Sequence, residues 1–417
     1  VTRLRRAGDR ARAIATAVVA GALSGVLGGA SAFAFLELLD AATELRLDHA
    51  WLVWCLPAAG LVIGAAYHHL GGRAAGGTPL AVAEARRYEL GAPGRMAPMI
   101  LGGSLLGHVV GASVGREGVG VQMSASLTDA VARAAGVGRA RRASLAQVAL
   151  AGGFGGTFGT PFAGAVFALE AARRRSPAAA AGCLAAAATA CSVVHVLGHE
   201  HARFPSFAVG TRPAVLGGLV AAAVAFGLTA RCFVRATGLC RHVVRRLVPL
   251  PSLRPVTGGV ATLVLVALAG RDHLGLSLPL LGDAFAGRAS WSDPLLKLVA
   301  TVLALGSGFV GGEVTPLFVV GATLGSVLAD PLHLSVTAGA GLGLVAVFGA
   351  AAHVPLTCAV LAVELYGWAA GPAALAVCLL ARAVAGGAGI YDDAAPDAVA
   401  EVPAPVGLRR LRPARGS

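Results

Sequence analysis

The stretch SVGREGVGVQ, residues 113–122, sets Arg116 and Glu117 side by side between Gly115 and Gly118, with predominantly apolar segments on both sides. A carboxylate is expensive in such surroundings, and acids inside apolar segments mark ion pathways by default. Gly115, Gly118 and Gly120 let the backbone bend and approach another group closely. The apolar run from Val119 predicts a helix start, whose first N–H groups lack internal partners and whose dipole end is positive. Such an end holds an anion without a full positive charge beside it. A tethered carboxylate can take the same place. Glu117 is therefore expected to act as a built-in anion, seated when the site is empty and displaced when a dissolved anion arrives. Protonation would neutralise and release it, so one side chain couples proton movement to anion movement. The competing role is a buried ion pair with Arg116, which is disfavoured because adjacent residues rarely face each other on a helix.

A second stretch, GGEVTPLFVVGATLG (311–325), repeats the logic: Gly311 and Gly312 precede Glu313 and Val314, then Thr315 and Pro316. Proline suits a first helical turn. The Thr315 hydroxyl can donate to an anion or cap its own helix. Glu313 is either a second transport acid or a structural acid held by backbone N–H groups. GGTPLAV (76–82) supplies a third glycine turn with Thr78. Tyr391, after the last long apolar segment, can reach inward and donate from its phenol, or sit as an interface tyrosine.

The elements that must position these groups are apolar helices. The chain has 417 residues, 56% hydrophobic and 13% charged, with a mean hydropathy of +0.74. A soluble chain of this length carries far more charge. Stretches long enough to span a bilayer recur from about residue 13 to 388. The pattern predicts an all-α polytopic membrane protein, with helices near 13–38, 51–70, 80–90, 96–112, 118–135, 143–155, 160–172, 177–198, 213–247, 255–270, 294–308, 315–330, 336–349, 355–369 and 372–387. Several are too short to cross fully; broken helices are tolerated where they are buried in protein or line a watery cavity. One membrane unit, 13–391, lies between a basic N-terminal segment, 1–12, and a basic tail, 392–417.

Net charge is +13, and its placement is informative. Arginines cluster at 3–12, 139–142, 173–175 and 409–415, which marks cytoplasmic segments and puts both termini in the cytoplasm. They flank apolar segments and do not form one face with interleaved aromatics, which argues against nucleic acid as a partner. Seven cysteines occur singly with no CxxC pair, giving neither a zinc site nor a redox motif; no metal or cofactor is expected. The first apolar stretch is long enough to remain a membrane helix rather than a cleaved signal. GHEHARF (198–204) brings His199 and His201 together, but without the i, i+4 spacing of a zinc-hydrolase helix. These read as solvated loop histidines, and a membrane-embedded hydrolase remains a distant alternative. Gly306-Ser307-Gly308 has no partner base nearby and reads as tight helix packing.

An internal repeat organises the chain. FGTPFAGAVFALE (158–170) resembles AHVPLTCAVLAVE (352–364), with Pro161, Ala165, Val166, Ala168 and Glu170 recurring 194 positions later as Pro355, Ala359, Val360, Ala362 and Glu364. GREGVG (115–120) lies 196 positions before GGEVTP (311–316), so Glu117 corresponds to Glu313. Repeats imply two related halves, about 13–200 and 210–391, with a site near the midplane. The sequence leaves open whether they are inverted or parallel.

GREGVGVQ, GGEVTPLFVVGATLG and the late tyrosine resemble the signature regions of the CLC family of anion channels and anion/proton antiporters, over roughly residues 15 to 391. The resemblance implies a homodimeric all-helical membrane protein, with inverted repeats, broken and re-entrant helices and a pore in each subunit. It implies that Glu117 is the gating, proton-carrying glutamate. Gly115, Arg116, Gly118, Thr78, Gly312, Glu313, Val314, Thr315 and Tyr391 then line the anion pathway. Gly312-Glu313-Val314 departs from the glycine–isoleucine–phenylalanine-type turn of chloride-handling members. Ala171 stands where chloride/proton exchangers often carry an inner acid, and Glu170 before it reads as a helix-end acid near Arg173 and Arg174. The chain is thus similar to the bacterial fluoride/proton antiporter branch, which implies fluoride export from the cytoplasm in exchange for protons at the cell inner membrane. Two features depart from that branch. Thr78 stands where asparagine or methionine is usual, and Ala81 and Glu84 stand where some members carry phenylalanines. A chloride/proton antiporter or chloride channel is the alternative.

Overall fold

The computed structural model describes residues 2–392; the basic tail, with Arg409, Arg410, Arg412 and Arg415, lies outside the described residues. The described residues form sixteen α-helices, with a few short 3-10 and π turns. The first half holds α1 (Thr2–Asp48), α2 (Leu56–Ala66), α3 (Gly77–Arg86), α4 (Met96–Val110), α5 (Glu117–Ala134), α6 (Arg139–Phe158), α7 (Pro161–Ala171) and α8 (Pro177–Val196). The second holds α9 (Pro213–Leu247), α10 (Arg254–Ala269), α11 (Leu278–Phe285), α12 (Asp293–Ser307), α13 (Val314–Ala329), α14 (Val336–Ala352), α15 (Pro355–Tyr366) and α16 (Gly371–Ala385). Six helical segments are long and apolar enough to cross a membrane, and several shorter apolar helices pack among them.

The expected helix over 213–247 matches α9 at both ends. Two expectations need correction. The first helix runs well beyond 13–38, because Ala, Arg, Leu and Glu continue it at both ends without a proline. The short helix α11 was not anticipated, since eight residues of LPLLGDAF are too few to show a periodic signal.

Small residues let the helix backbones approach closely, as membrane packing requires. A Cβ on Gly21 would lie 2.2 Å from the Gly182 carbonyl oxygen, and one on Gly25 2.4 Å from that of Ala186, so α1 and α8 meet almost backbone to backbone. Gly321 and Gly325 of α13 meet Gly343 and Gly339 of α14 in the same way. The outward faces carry exposed Leu23, Val264, Leu268 and Leu379, as a surface in contact with lipid would.

The repeat appears in space as a reciprocal capping of two short helices. Glu170, at the end of α7, accepts from the backbone N–H groups of Leu356 (3.1 Å) and Thr357 (2.8 Å) and from the Thr357 hydroxyl (2.7 Å) at the start of α15. Glu364, near the end of α15, accepts from Phe162 (2.9 Å) and Ala163 (2.7 Å) at the start of α7. Each helix end caps the other's beginning, so the two run antiparallel, and the halves are inverted. Glu170 is thus a helix-end acid, as the sequence suggests. Its partners are orphan amides in the opposite half, which need an acceptor and favour an anion at the positive dipole end.

Candidate anion site

The two glycine turns meet. Gly115 and Gly312 exchange backbone hydrogen bonds, N to O at 2.5 Å and 2.7 Å, as an isolated antiparallel bridge. Glycine is required by the closeness. A Cβ on Gly115 would lie 2.8 Å from Pro316 Cδ, and one on Gly118 would lie 2.8 Å from Thr78 Oγ1 and 3.0 Å from Gly312 Cα. The bridge places the start of α5 against the start of α13, with α3 beside them.

Glu117 is buried, with a side chain 1% exposed. Its Oε2 accepts from the Thr315 backbone N–H at 3.0 Å and from the Thr315 hydroxyl at 2.5 Å. The carboxylate therefore sits on the N-terminus of α13 and not on that of its own helix. The reasoning about an exposed amide end holds, but the end belongs to the other half. The Thr315 hydroxyl does not cap its own helix: it donates to Glu117 and accepts weakly from the Arg116 N–H at 3.4 Å.

Arg116 Nε lies 3.3 Å from Glu117 Oε1, so the two neighbours do touch, contrary to expectation. The physical reason is that Arg116 is the N-cap of α5 and stands outside the regular helix, where the rule about adjacent residues no longer applies. The Arg116 contact and the Thr315 contacts together hold one carboxylate by both oxygens.

Thr78 is buried near the start of α3. Its hydroxyl accepts from Gln122 Nε2 at 3.1 Å and approaches the Gly118 carbonyl at 3.4 Å. Glu313, the N-cap of α13, lies beside Gly118, with Oε2 3.6 Å from where a Cβ there would stand. Tyr391 is buried with its phenol facing Glu313. The segment that carries it returns inward after α16. Ile390 N–H donates to the Ala351 carbonyl at 2.9 Å, and Asp392 pairs with Arg86 at 3.0 Å and with His353 at 3.0 Å. Phe167 meets the Tyr391 ring edge-on at 6.1 Å and stacks on Phe154 at 4.5 Å. The phenylalanine that meets Tyr391 thus comes from α7, with Phe154 of α6 stacked behind it.

A cavity of ≈ 1100 Å³ opens on this region. Thr78, Gln122, Gly311 and Glu313 line it, together with Arg73, Arg95, Arg241, Arg245 and Arg254. Arg73 is paired with Glu84, and Arg254 donates to the Val248 carbonyl near the end of α9. The surplus of arginine over acid gives this cavity a field that draws anions.

Gathered at the junction of the two turns are Gly115, Arg116, Glu117, Gly118, Thr78, Gly312, Glu313, Val314, Thr315 and Tyr391. Two further residues were missed in the sequence. Gln122 follows Glu117 on α5 and supplies the donor to Thr78; its signal was a lone amide in an apolar helix. Lys297 is fully buried in α12, and its Nζ donates to Ser113 Oγ (2.9 Å), Ser277 Oγ (2.9 Å) and the carbonyls of Gly275 (2.7 Å) and His273 (3.2 Å). It anchors the residues just before the Gly115 turn, and a lysine inside an apolar segment was the signal for it. Gly306 packs against Cys240, in line with the packing reading of the Gly-Ser-Gly run. His199 departs from the expected solvated state: it is buried and contacts Glu37 at 3.0 Å.

The sequence pattern of the family described as "Voltage gated chloride channel" matches residues 59–386. A protein of Pseudomonas syringae pv. tomato described as "Chloride/fluoride channel protein" is 39% identical over 379 residues, 88% of this chain and 84% of that protein. The crystal structure of a CLC-type fluoride/proton antiporter superposes with a TM-score of 0.85 at 30% identity, covering 90% of this chain and 97% of that one. A slow cyanobacterial chloride/proton antiporter shares the fold at a TM-score of 0.78 and 21% identity, covering 94% and 99%. With the inverted halves, the apolar helices and the paired glycine turns, these likenesses place the chain in the CLC family, as a multi-pass membrane protein that is an anion/proton antiporter or anion channel.

Proposed function

We propose that this protein exports fluoride from the cytoplasm in exchange for protons, with Glu117 as gate and proton carrier. The observation that carries the reading is the seat of Glu117. One carboxylate oxygen takes both the amide and the hydroxyl of Thr315 at the start of α13, where a dissolved anion would find the same donors. Seated, the carboxylate fills the place; protonated, it loses its charge and its hold. Fluoride, small and strongly hydrated, needs close and strong donors in exchange for water. The Thr315 hydroxyl and amide, the Tyr391 phenol and Thr78 are such donors, and Glu313 and Thr315 shape selectivity.

The names of the relatives support fluoride, since one is described as a chloride/fluoride channel protein and another as a fluoride/proton antiporter. Thr78 favours a second reading, chloride/proton exchange or chloride conduction, because its hydroxyl can serve a larger anion equally well. The working unit is one membrane body over about 13–391 in two halves, assembled as a homodimer in the inner membrane with both termini in the cytoplasm. The deciding experiment is purified protein in proteoliposomes, with fluoride efflux and proton uptake recorded together and chloride substituted in turn. Fluoride efflux that drives proton uptake supports the proposal. Chloride flux above fluoride flux favours the second reading.

A further inference from the structure

The arginine-lined cavity is larger than the passage of small anions requires. At ≈ 1100 Å³ it matches or exceeds the usual site for a drug-sized ligand, about 300–1,000 Å³. Thr78, Gly311 and Glu313 line its inner end. Among the described residues Glu313 is the one acid on its wall, set against Arg73, Arg95, Arg241, Arg245 and Arg254. Arg73 answers Glu84. Arg95, Arg245 and Arg254 have no carboxylate within ion-pair distance among the described residues.

The arginine wall stands where the apolar layer ends. α9 carries no charge from Pro213 to Ala230, about 27 Å at 1.5 Å per residue and close to the hydrocarbon thickness of a bilayer. Arg231, Arg235, Arg241, Arg245 and Arg246 follow. Arg241 and Arg245, one turn apart, line the cavity, while Leu239, Val243 and Leu247 are exposed on the opposite side of the helix. The chain then turns into α10. Leu250 and Leu253 are exposed in this turn, and Arg254 is held beside them by the carbonyls of Val248 (3.1 Å) and Pro249 (3.3 Å). α2 closes the turn from the side: a Cβ on Gly60 would lie 2.7 Å from the Pro255 carbonyl oxygen. The rim thus sets bare leucines next to arginines. It belongs to the face of the arginine clusters, since one loop, 87–95, accepts from Arg73 at the Gly91 carbonyl (3.1 Å) and from Arg139 at the Tyr88 carbonyl (3.2 Å).

We propose that this cavity binds the phosphate headgroup of an anionic phospholipid from the leaflet on that face, its acyl chains lying outside against Leu250 and Leu253. Guanidinium forks match phosphate oxygens in pairs, and basic pockets between membrane helices take acidic headgroups. The apolar rim favours a lipid over a soluble phosphate, which would leave those leucines uncovered. Seated, the headgroup covers the way to Glu313 and Thr78 and cancels the field that draws anions, so it slows fluoride entry. The binding stands on the cavity alone; the effect on flux rests on fluoride passing through it.

Native mass spectrometry of the purified protein in detergent tests the binding, with phosphatidylglycerol and phosphatidylcholine of identical chains as probes. Phosphatidylglycerol should bind more tightly. Arg95→Gln with Arg245→Gln should weaken it about tenfold, the scale of one charge-assisted hydrogen bond. Arg203→Gln with Arg212→Gln removes the same charge near the opposite end of α9, from exposed side chains, and should leave binding unchanged. Equal binding of the two lipids, equal loss in the two double variants, or displacement of phosphatidylglycerol by an equal concentration of inorganic phosphate overturns the proposal. The lipid comparison needs only the parent, so it decides if a variant does not fold. In proteoliposomes, phosphatidylglycerol should slow fluoride efflux more in the parent than in the Arg95→Gln, Arg245→Gln variant, because the surface charge of the bilayer acts on both alike. Tight headgroup binding with equal slowing in both would uphold the site and sink instead the passage of fluoride through the cavity.

Discussion

At the scale of the residue, the site is a carboxylate of one half seated on a helix start of the other. Glu117 opens α5 but is held at the start of α13. The carboxylate is buried, so its charge is tolerated only because the amide, the hydroxyl and Arg116 meet it together. Glu117→Gln keeps the shape and one acceptor but has no proton to carry. We expect fluoride-driven proton uptake to vanish in this variant while the protein still assembles; normal coupled uptake would remove Glu117 from its role. Glu313 sits differently: it lines the arginine-rich cavity and faces Tyr391, so the repeat that aligns the two glutamates does not give them equal surroundings.

Elements hold this geometry through contacts that are themselves repeated. α7 and α15 are 11 and 12 residues long, too short to be stable alone. Each is fixed by a glutamate from the other. Glu170→Ala and Glu364→Ala each strand two backbone donors, and each should cost about 2 kcal/mol of stability. The midpoint of thermal unfolding in detergent should fall in both variants and by similar amounts. A loss at only one of the two positions would mean that the symmetry is geometric without being energetic. Lys297 is the corresponding anchor on the other side of the site, tying α12, the 273–277 turn and Ser113 together.

For the whole molecule, inverted halves put unlike surroundings on the two sides of one site. The arginine-lined cavity opens near Glu313 and Thr78, and the histidine loop lies at the end of α6, where His201 Nε2 is 3.1 Å from the Gly156 carbonyl. A membrane-impermeant thiol reagent tests this placement. In a chain whose native cysteines are replaced, Ala202→Cys should be labelled from outside intact cells, whereas Arg141→Cys should be labelled only after the membrane is opened. The reverse pattern would overturn the orientation.

The sequence by itself determined the membrane class, most helix positions and the three glycine turns, because apolar length, proline and glycine act locally. It also singled out candidates for the chemistry, since Glu117 and Glu313 stand out as charges in apolar runs. It pointed to an amide end as the seat for the carboxylate but attached it to the wrong helix. Hydrogen-bond partners 198 residues apart, as Thr315 and Glu117 are, leave no trace in local spacing. The partners of Glu170, the contact between Arg116 and Glu117, and the burial of His199 were settled only by the tertiary structure. Each depends on which backbone ends the inverted packing brings together, and that follows from how the two halves fit and not from any one segment.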